Sequence, residues 1–258
     1  MTNPFVSRAD KTSPRKAAFN MLLTCICVII LFWFILSRLG YAFDFSFLPE
    51  IRGRLLDGFL MTVALSVASL LLSLAIGVVS AVLQSSAILA LRYLAVFYVT
   101  VIRGTPLIMQ VLLFYYIVGT AFGVENRFLM GVLILSVFEG AYIAEIIRGS
   151  LLSMDGTQLE AAKAVGFTKK QTITLVVLPQ LTARTLPALT GQFASIIKDS
   201  SLLSIIAVIE LTQTIREITA WNFKMFEGYL VLGALYLVLT LPIAFFTKRL
   251  ERSFHYEN

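Results

Sequence analysis

Long uncharged runs alternate along this chain with apolar runs broken by one or two polar groups, on the scale of a membrane helix, which needs about 20 mostly apolar residues to cross the hydrocarbon. Residues 17–37 (AAFNMLLTCICVIILFWFILS), 59–83 (FLMTVALSVASLLLSLAIGVVSAVL) and 228–247 (GYLVLGALYLVLTLPIAFFT) carry no charge. Three more segments are apolar but interrupted: 93–124 by Arg103, 128–147 by Glu139 and Glu145, and 187–215 by Lys198, Asp199 and Glu210. The pattern predicts an all-α polytopic membrane protein of about six transmembrane helices. Basic residues Lys11, Arg15 and Lys16 precede the first run, as they would in a signal peptide. Its apolar stretch is too long for that, and no A-x-A cleavage site follows at 38–43, so it reads as a retained helix.

Six spans put both termini on one side. With the N-terminus inside, the inside group holds Arg8, Lys11, Arg15, Lys16, Arg92, Arg148, Lys163, Lys169, Lys170, Arg184, Lys248, Arg249 and Arg252. The outside group holds Arg38, Arg52, Arg54, Arg127, Arg216 and Lys224, and Arg103 and Lys198 lie at membrane depth. The excess favours cytoplasmic termini under the positive-inside rule. The outside loops are short, near 38–56, 121–127 and 217–227, so the chain carries no extracellular domain to capture a ligand.

Composition narrows the function. Of 258 residues, 58% are hydrophobic and 14% charged, whereas soluble domains carry roughly a quarter charged residues. A mean hydropathy of +0.86 argues against a soluble enzyme, a disordered chain or a nucleic-acid module. The basic pI of 9.4 is then the record of cytoplasmic Lys and Arg rather than of nucleic-acid binding. Cys25 and Cys27 are two apart, on different faces of a helix, and cannot pair with each other. His255 is the only histidine, so no His-based triad or metal cluster is available.

The largest soluble piece is the inside loop, residues 154–179 (MDGTQLEAAKAVGFTKKQTITLVVLP). Asp155 followed by Gln158 forms a capping-box variant, Gln158–Val165 uses good helix formers, and Gly166 suits the position that ends a helix. A second helix over Lys169–Val177 is expected to stop at Pro179. The result is a helix–turn–helix that presents Ala161, Ala162 and Ala164, small enough for close approach by another surface. It is either such a surface or a solvated connector.

This loop resembles a known family. Glu160-Ala161-Ala162, Gly166 four residues on, then nine residues and Val176-x-Leu178-Pro179 is similar to the EAA motif of binding-protein-dependent ABC importer permeases. That family usually has Ile at the position of Val176. RGTPLIMQ at 103–110, AYIAEIIRGSLLS at 141–153 and KDSSLLSIIAVIELT at 198–212 resemble its polar-amino-acid branch. The resemblance covers about 55–252. It implies a five-helix type I ABC importer core, with 17–37 as an additional N-terminal helix between a cytoplasmic tail, 1–16, and the core. A short tail, 253–258, closes the chain.

The resemblance also implies partners: a cytoplasmic ATP-binding-cassette ATPase dimer, a second permease (identical or homologous) and an extracytoplasmic solute-binding protein. The two short helices would seat in a groove of the ATPase, with Glu160, Ala161, Ala162, Gly166 and Pro179 as the coupling residues. This chain has no G-x-x-x-x-G-K-[ST] sequence to cradle ATP. It is therefore expected to be no enzyme and to hold no cofactor, with ATP and Mg on the partner. For Glu160 the competing reading is a surface pair with Lys163.

Polar groups at membrane depth are costly and normally face a bundle interior or a cavity. Arg103-Gly104-Thr105-Pro106 is expected to break the third span, and Lys198-Asp199-Ser200-Ser201 the fifth. Thr105, Gln110, Glu139, Lys198, Asp199 and Ser200 are the candidates to line an amino-acid path. Against the path reading, Gln110 suits bonding a neighbouring helix, Lys198 and Asp199 a buried pair, and Glu145 and Arg148 a local ion pair. Ser66, Ser69, Ser73 and Gly77 suit helix packing. The alternative function is a proton-coupled secondary transporter using Glu139, Glu145, Lys198 and Asp199. It leaves the EAA-like loop without a role.

Overall fold

The structure is a computed structural model that describes residues 14–38 and 40–255. All regular structure among them is helical. They fall into two compact units divided between Phe45 and Ser46. In the first, α1 (Pro14–Arg38) is apolar on every face, the mark of a helix that lipid or protein surrounds. Most of the expected N-terminal tail, 1–16, and residues 256–258 of the C-terminal one lie outside the described residues.

The second unit opens with α2 (Leu48–Gln84). It starts eleven residues before the apolar run at 59, because Arg52, Arg54 and Asp57 are tolerated on a helix end that hydropathy alone does not count. α3 (Leu89–Gly104) and α4 (Leu107–Leu113) meet at 110°. The corner falls at the expected Gly104-Thr105-Pro106 break, and α4 runs on as a π turn, Phe114–Gly119. α5 (Arg127–Leu152) follows, capped by Asn126 accepting from the Leu129 N–H at 3.0 Å.

α2 and α5 form the densest contact of the unit. A Cβ on Gly77 would lie 2.4 Å from Ile143 Cγ2, and one on Gly140 2.7 Å from Ile76 Cγ2, so the two backbones approach through glycine on both sides. Ser136 Oγ donates across this seam to the Ser69 carbonyl at 3.3 Å. Around it Leu65, Val111, Leu135, Ala141, Ala144 and Leu203 are fully buried. The serine and glycine stripe of the second span is thus a packing surface, as its spacing indicates.

The segment expected to span at 187–215 is divided instead. α8 (Leu178–Asp199) passes into a 3₁₀ stretch, Ser200–Ile206, that ends at a left-handed residue, Ala207 (φ 54°). An amphipathic helix, α9 (Leu211–Asn222), follows, and α10 (Met225–His255) completes the unit and includes the first residues assigned to the 253–258 tail. Two short helices, α6 (Gly156–Ala164) and α7 (Lys169–Gln171), lie between α5 and α8.

Among the described residues α1, α2, α5 and α10 are long and apolar enough to cross a membrane, and the bent α3–α4 pair makes a fifth such element. α8 has 22 residues, about 33 Å at 1.5 Å per residue, but its threonines, Arg184 and Gln192 make it too polar to count on composition.

A helical elbow and a carboxylate pair

The loop between α5 and α8 is stiff because each end of each short helix is closed. Asp155 accepts from the Thr157 N–H at 3.0 Å, and that bond holds its carboxyl below the usual carboxylate range. The Gln158 side chain does not complete a capping box there. It is drawn to the amide of Gln180, which donates to it and ties α6 to the start of α8. At the other end of α6 the Gly166 N–H reaches the Lys163 carbonyl and the Phe167 N–H the Ala162 carbonyl, both at 3.0 Å. This paired closure needs a left-handed residue, and Gly166 sits at φ +83°. The capping box is on α7 instead, between Thr168 and Gln171.

Pro179 does not end the second helix. The chain widens into a π turn over Thr172–Val177 and continues into α8, where Pro179 is the second residue. The wider ring relieves the clash a proline ring makes with the preceding turn, and the N–H it lacks is not missed at a helix start. Arg184 fastens the far side, donating to the Ser153 carbonyl at 2.5 Å and to Ser153 Oγ at 2.8 Å.

On this elbow Glu160 is exposed and makes no ion pair among the described residues, with Lys163 or otherwise. Ala161 and Ala164 are exposed too, and Val165 is 74% exposed. Ala162, expected on the same outward surface, is 5% exposed and turned into its own chain. Its missing bulk lets α6 lie down on the elbow rather than serving a partner.

The polar groups at membrane depth separate into three places. Gln110 is buried and stitches the 110° corner, its amide donating to the Ile102 carbonyl and to Thr105 Oγ1, both at 2.8 Å. Thr105 Oγ1 donates back to the Val101 carbonyl at 2.8 Å. These bonds satisfy carbonyls freed by the break, the helix-bonding role open to Gln110.

Glu145 is held by Arg148, as its spacing indicates, and also lies 3.6 Å from Arg103. Glu139 is fully buried between α5 and α8. The Gln192 amide donates to one of its oxygens. The other has no hydrogen-bond donor among the described residues, and the Asp199 carboxyl is in contact with Glu139. Ser200 Oγ is turned to the Ile197 carbonyl at 2.7 Å. Lys198 is exposed, so the expected buried Lys198–Asp199 pair is not formed; successive helix residues point about 100° apart.

Sequence reasoning missed Gln192, whose polar amide in an apolar stretch was its only signal. It missed Glu210 as well. That residue is fully buried, caps α9 through the Thr212 and Gln213 N–H groups at 2.8 Å, and accepts from the Tyr236 hydroxyl at 3.0 Å.

An exposed, capped elbow beside a set of bent helices is the arrangement the sequence resemblance implies, and comparison with known proteins bears directly on it. Residues 73–256 match the family described as binding-protein-dependent transport system inner membrane component. The chain belongs to that family. The permease is 36% identical over 212 residues to the glutamine transport system permease protein of Escherichia coli K12, a match covering 81% of this chain and 97% of that one. It is 33% identical over 203 residues to a probable glutamine ABC transporter permease of Bacillus subtilis 168, covering 77% and 94%.

Among solved structures, the permease superposes on an amino acid ABC transporter crystallised with histidines at a TM-score of 0.77 and 32% identity, covering 83% and 100%. An inward-facing methionine ABC transporter shares the fold at a TM-score of 0.69 and 20% identity, covering 80% and 98%.

Proposed function

We propose that this permease is the membrane subunit of an ATP-driven importer that moves a polar amino acid into the cytoplasm by alternating access. The observation that carries the reading is the elbow. An exposed helix with an unpaired acid, small residues around it and a glycine-locked turn has a use only if another protein seats on it. The occupant is a cytoplasmic ATP-binding-cassette ATPase dimer, which supplies ATP and Mg. The Lys and Arg excess supports an inner-membrane orientation with both termini and the elbow inside. A second permease completes the path, and an extracytoplasmic solute-binding protein delivers the substrate. In this reading α1 anchors and orients the chain as an addition to the core.

Relatives named for glutamine transport support an amino-acid cargo. The chemistry of α5 and α8 suits it: Glu139 and Asp199 offer acceptors to an ammonium group, and Gln192 places an amide beside them. Lys198, being exposed, faces a neighbouring subunit or lipid. Thr105, Gln110 and Ser200 shape the path by holding its bends. ATP binds the closed ATPase state in preference to the open one, and that difference in affinity drives the two lobes between inward- and outward-facing states.

The proton-coupled alternative is less well supported. Of its four residues only Glu139 and Asp199 meet. Glu145 is neutralised by arginines and Lys198 points away.

The test is uptake of labelled glutamine and other polar amino acids into proteoliposomes carrying the permease, its ATPase and its binding protein. ATP-dependent uptake of at least one of them is expected. Uptake that ignores ATP but follows an imposed proton gradient would overturn the reading.

A further inference from the structure

A cavity of about 780 Å³ opens between the end of α2, α3 and the second half of α5. Arg92, Arg103 and Arg148 line it with Gln84, Tyr142 and Glu145. Glu145 is the only carboxylate among its lining residues, and its acceptors are already engaged: Arg148 Nε donates to it at 2.9 Å and Arg103 lies 3.6 Å away. Three guanidinium groups against one carboxylate leave two positive charges. Arg103 is held in place over the Tyr142 ring, 5.3 Å from its centre. Arg92 has no carboxylate partner among the described residues. Gln84 Nε2 is buried and has no acceptor among the described residues. With three guanidinium groups against one engaged carboxylate, the cavity is rich in donors and short of acceptors. That is the chemistry of an anion site.

We infer that this cavity binds a phosphate group at the cytoplasmic surface of the membrane, carried by an anionic lipid or free in solution. The inference rests on the orientation proposed above, which puts Gln84, Arg92 and Arg148 at the inner face. Guanidinium groups grip phosphate oxygens in pairs, and basic pockets between membrane helices on the cytoplasmic side suit phosphate headgroups. The position matters because the ligand would tie α3, which leads into the 110° corner, to α5, which leads into the elbow. The site is separate from the Glu139–Gln192–Asp199 cluster, which shares none of its lining residues.

The test uses the permease assembled with its ATPase, purified in neutral detergent and titrated with phosphatidylglycerol, phosphatidylcholine or inorganic phosphate. Bound ligand is counted by native mass spectrometry. Arg92→Gln removes the unpaired cation, and Gln84→Leu a polar lining side chain without changing charge. One phosphatidylglycerol per permease, preferred over phosphatidylcholine and weakened about fivefold by Arg92→Gln and measurably by Gln84→Leu, supports a lipid site. Occupancy by inorganic phosphate, lost in the same variants while phosphatidylglycerol shows no preference, supports a free-phosphate site. Equal binding of either anion by the variants and the unaltered protein overturns the inference. So does displacement of the bound anion by the transported amino acid, since the cavity would then belong to the substrate path. Retention of the ATPase in the same spectra keeps failure here distinct from failure of the permease reading.

Discussion

Gly166 and Glu139 are the single residues on which the proposed coupling and the proposed path turn. A Cβ on Gly166 would meet nothing within 4 Å, so space is not what excludes a side chain there. The exclusion is conformational: φ +83° costs an L-residue roughly 1–2 kcal/mol. Gly166→Ala should therefore loosen the elbow, seen as faster hydrogen exchange over 156–171, while the chain still inserts and assembles. Equal exchange in the two proteins would mean the turn is not needed to hold the elbow. Glu139 is different, since it is fixed by a partner rather than by backbone. Glu139→Gln keeps a carbonyl to accept from Gln192 and removes the charge. Amino-acid uptake should fall at least tenfold with normal assembly and normal basal ATP hydrolysis. Uptake that stays within twofold of normal would remove Glu139 from the path.

At the scale of elements, the glycine seam of α2 and α5 makes a quantitative claim. A methyl group on Gly140 would press on Ile76 at 2.7 Å, and overpacking of that kind costs typically 1–3 kcal/mol. Gly140→Ala should lower the melting temperature of the purified permease, and Ile76→Ala in the same chain should restore part of the loss. Additive losses would show that the two residues do not press on each other.

This seam was legible in the sequence, because small residues at helical spacing in an uncharged run have few other uses. The corner at Gly104-Thr105-Pro106 was legible for the same kind of reason. The course of 187–215 was not. Hydropathy sums over a window and cannot register one left-handed residue, Ala207, that interrupts the helix. The usable signal was Glu210, an acid in an apolar run followed by the polar-apolar alternation of Leu211–Asn222. Pro179 misled in the opposite sense: a π turn, which no local pattern announces, let the helix pass through a residue that normally stops one. In the site, Glu139 stood out in sequence as an acid with no partner within four residues. Its actual partners, Gln192 and Asp199, come from α8 and depend on how that helix is rotated against α5.

At the scale of the whole molecule, everything proposed depends on sidedness. The charge asymmetry predicts that a reporter fused after the C-terminus is cytoplasmic and one inserted at Val124 is outside. A reversed pattern would strand the elbow on the side without ATP. The most direct measurement of the central claim is capture of a P-loop ATPase by the tagged permease from its own membranes, with Gly166→Asp measured beside it. That substitution adds both a side chain at a positive φ and a charge next to the exposed surface of α6. The account predicts that the unaltered permease retains an ATP-binding-cassette ATPase in equal amount, two of each in the complex. It also predicts that Gly166→Asp inserts at a normal level but loses the ATPase or its substrate-stimulated hydrolysis. A permease that inserts and transports while retaining no ATPase, or a Gly166→Asp variant with full retention and full stimulation, would contradict it.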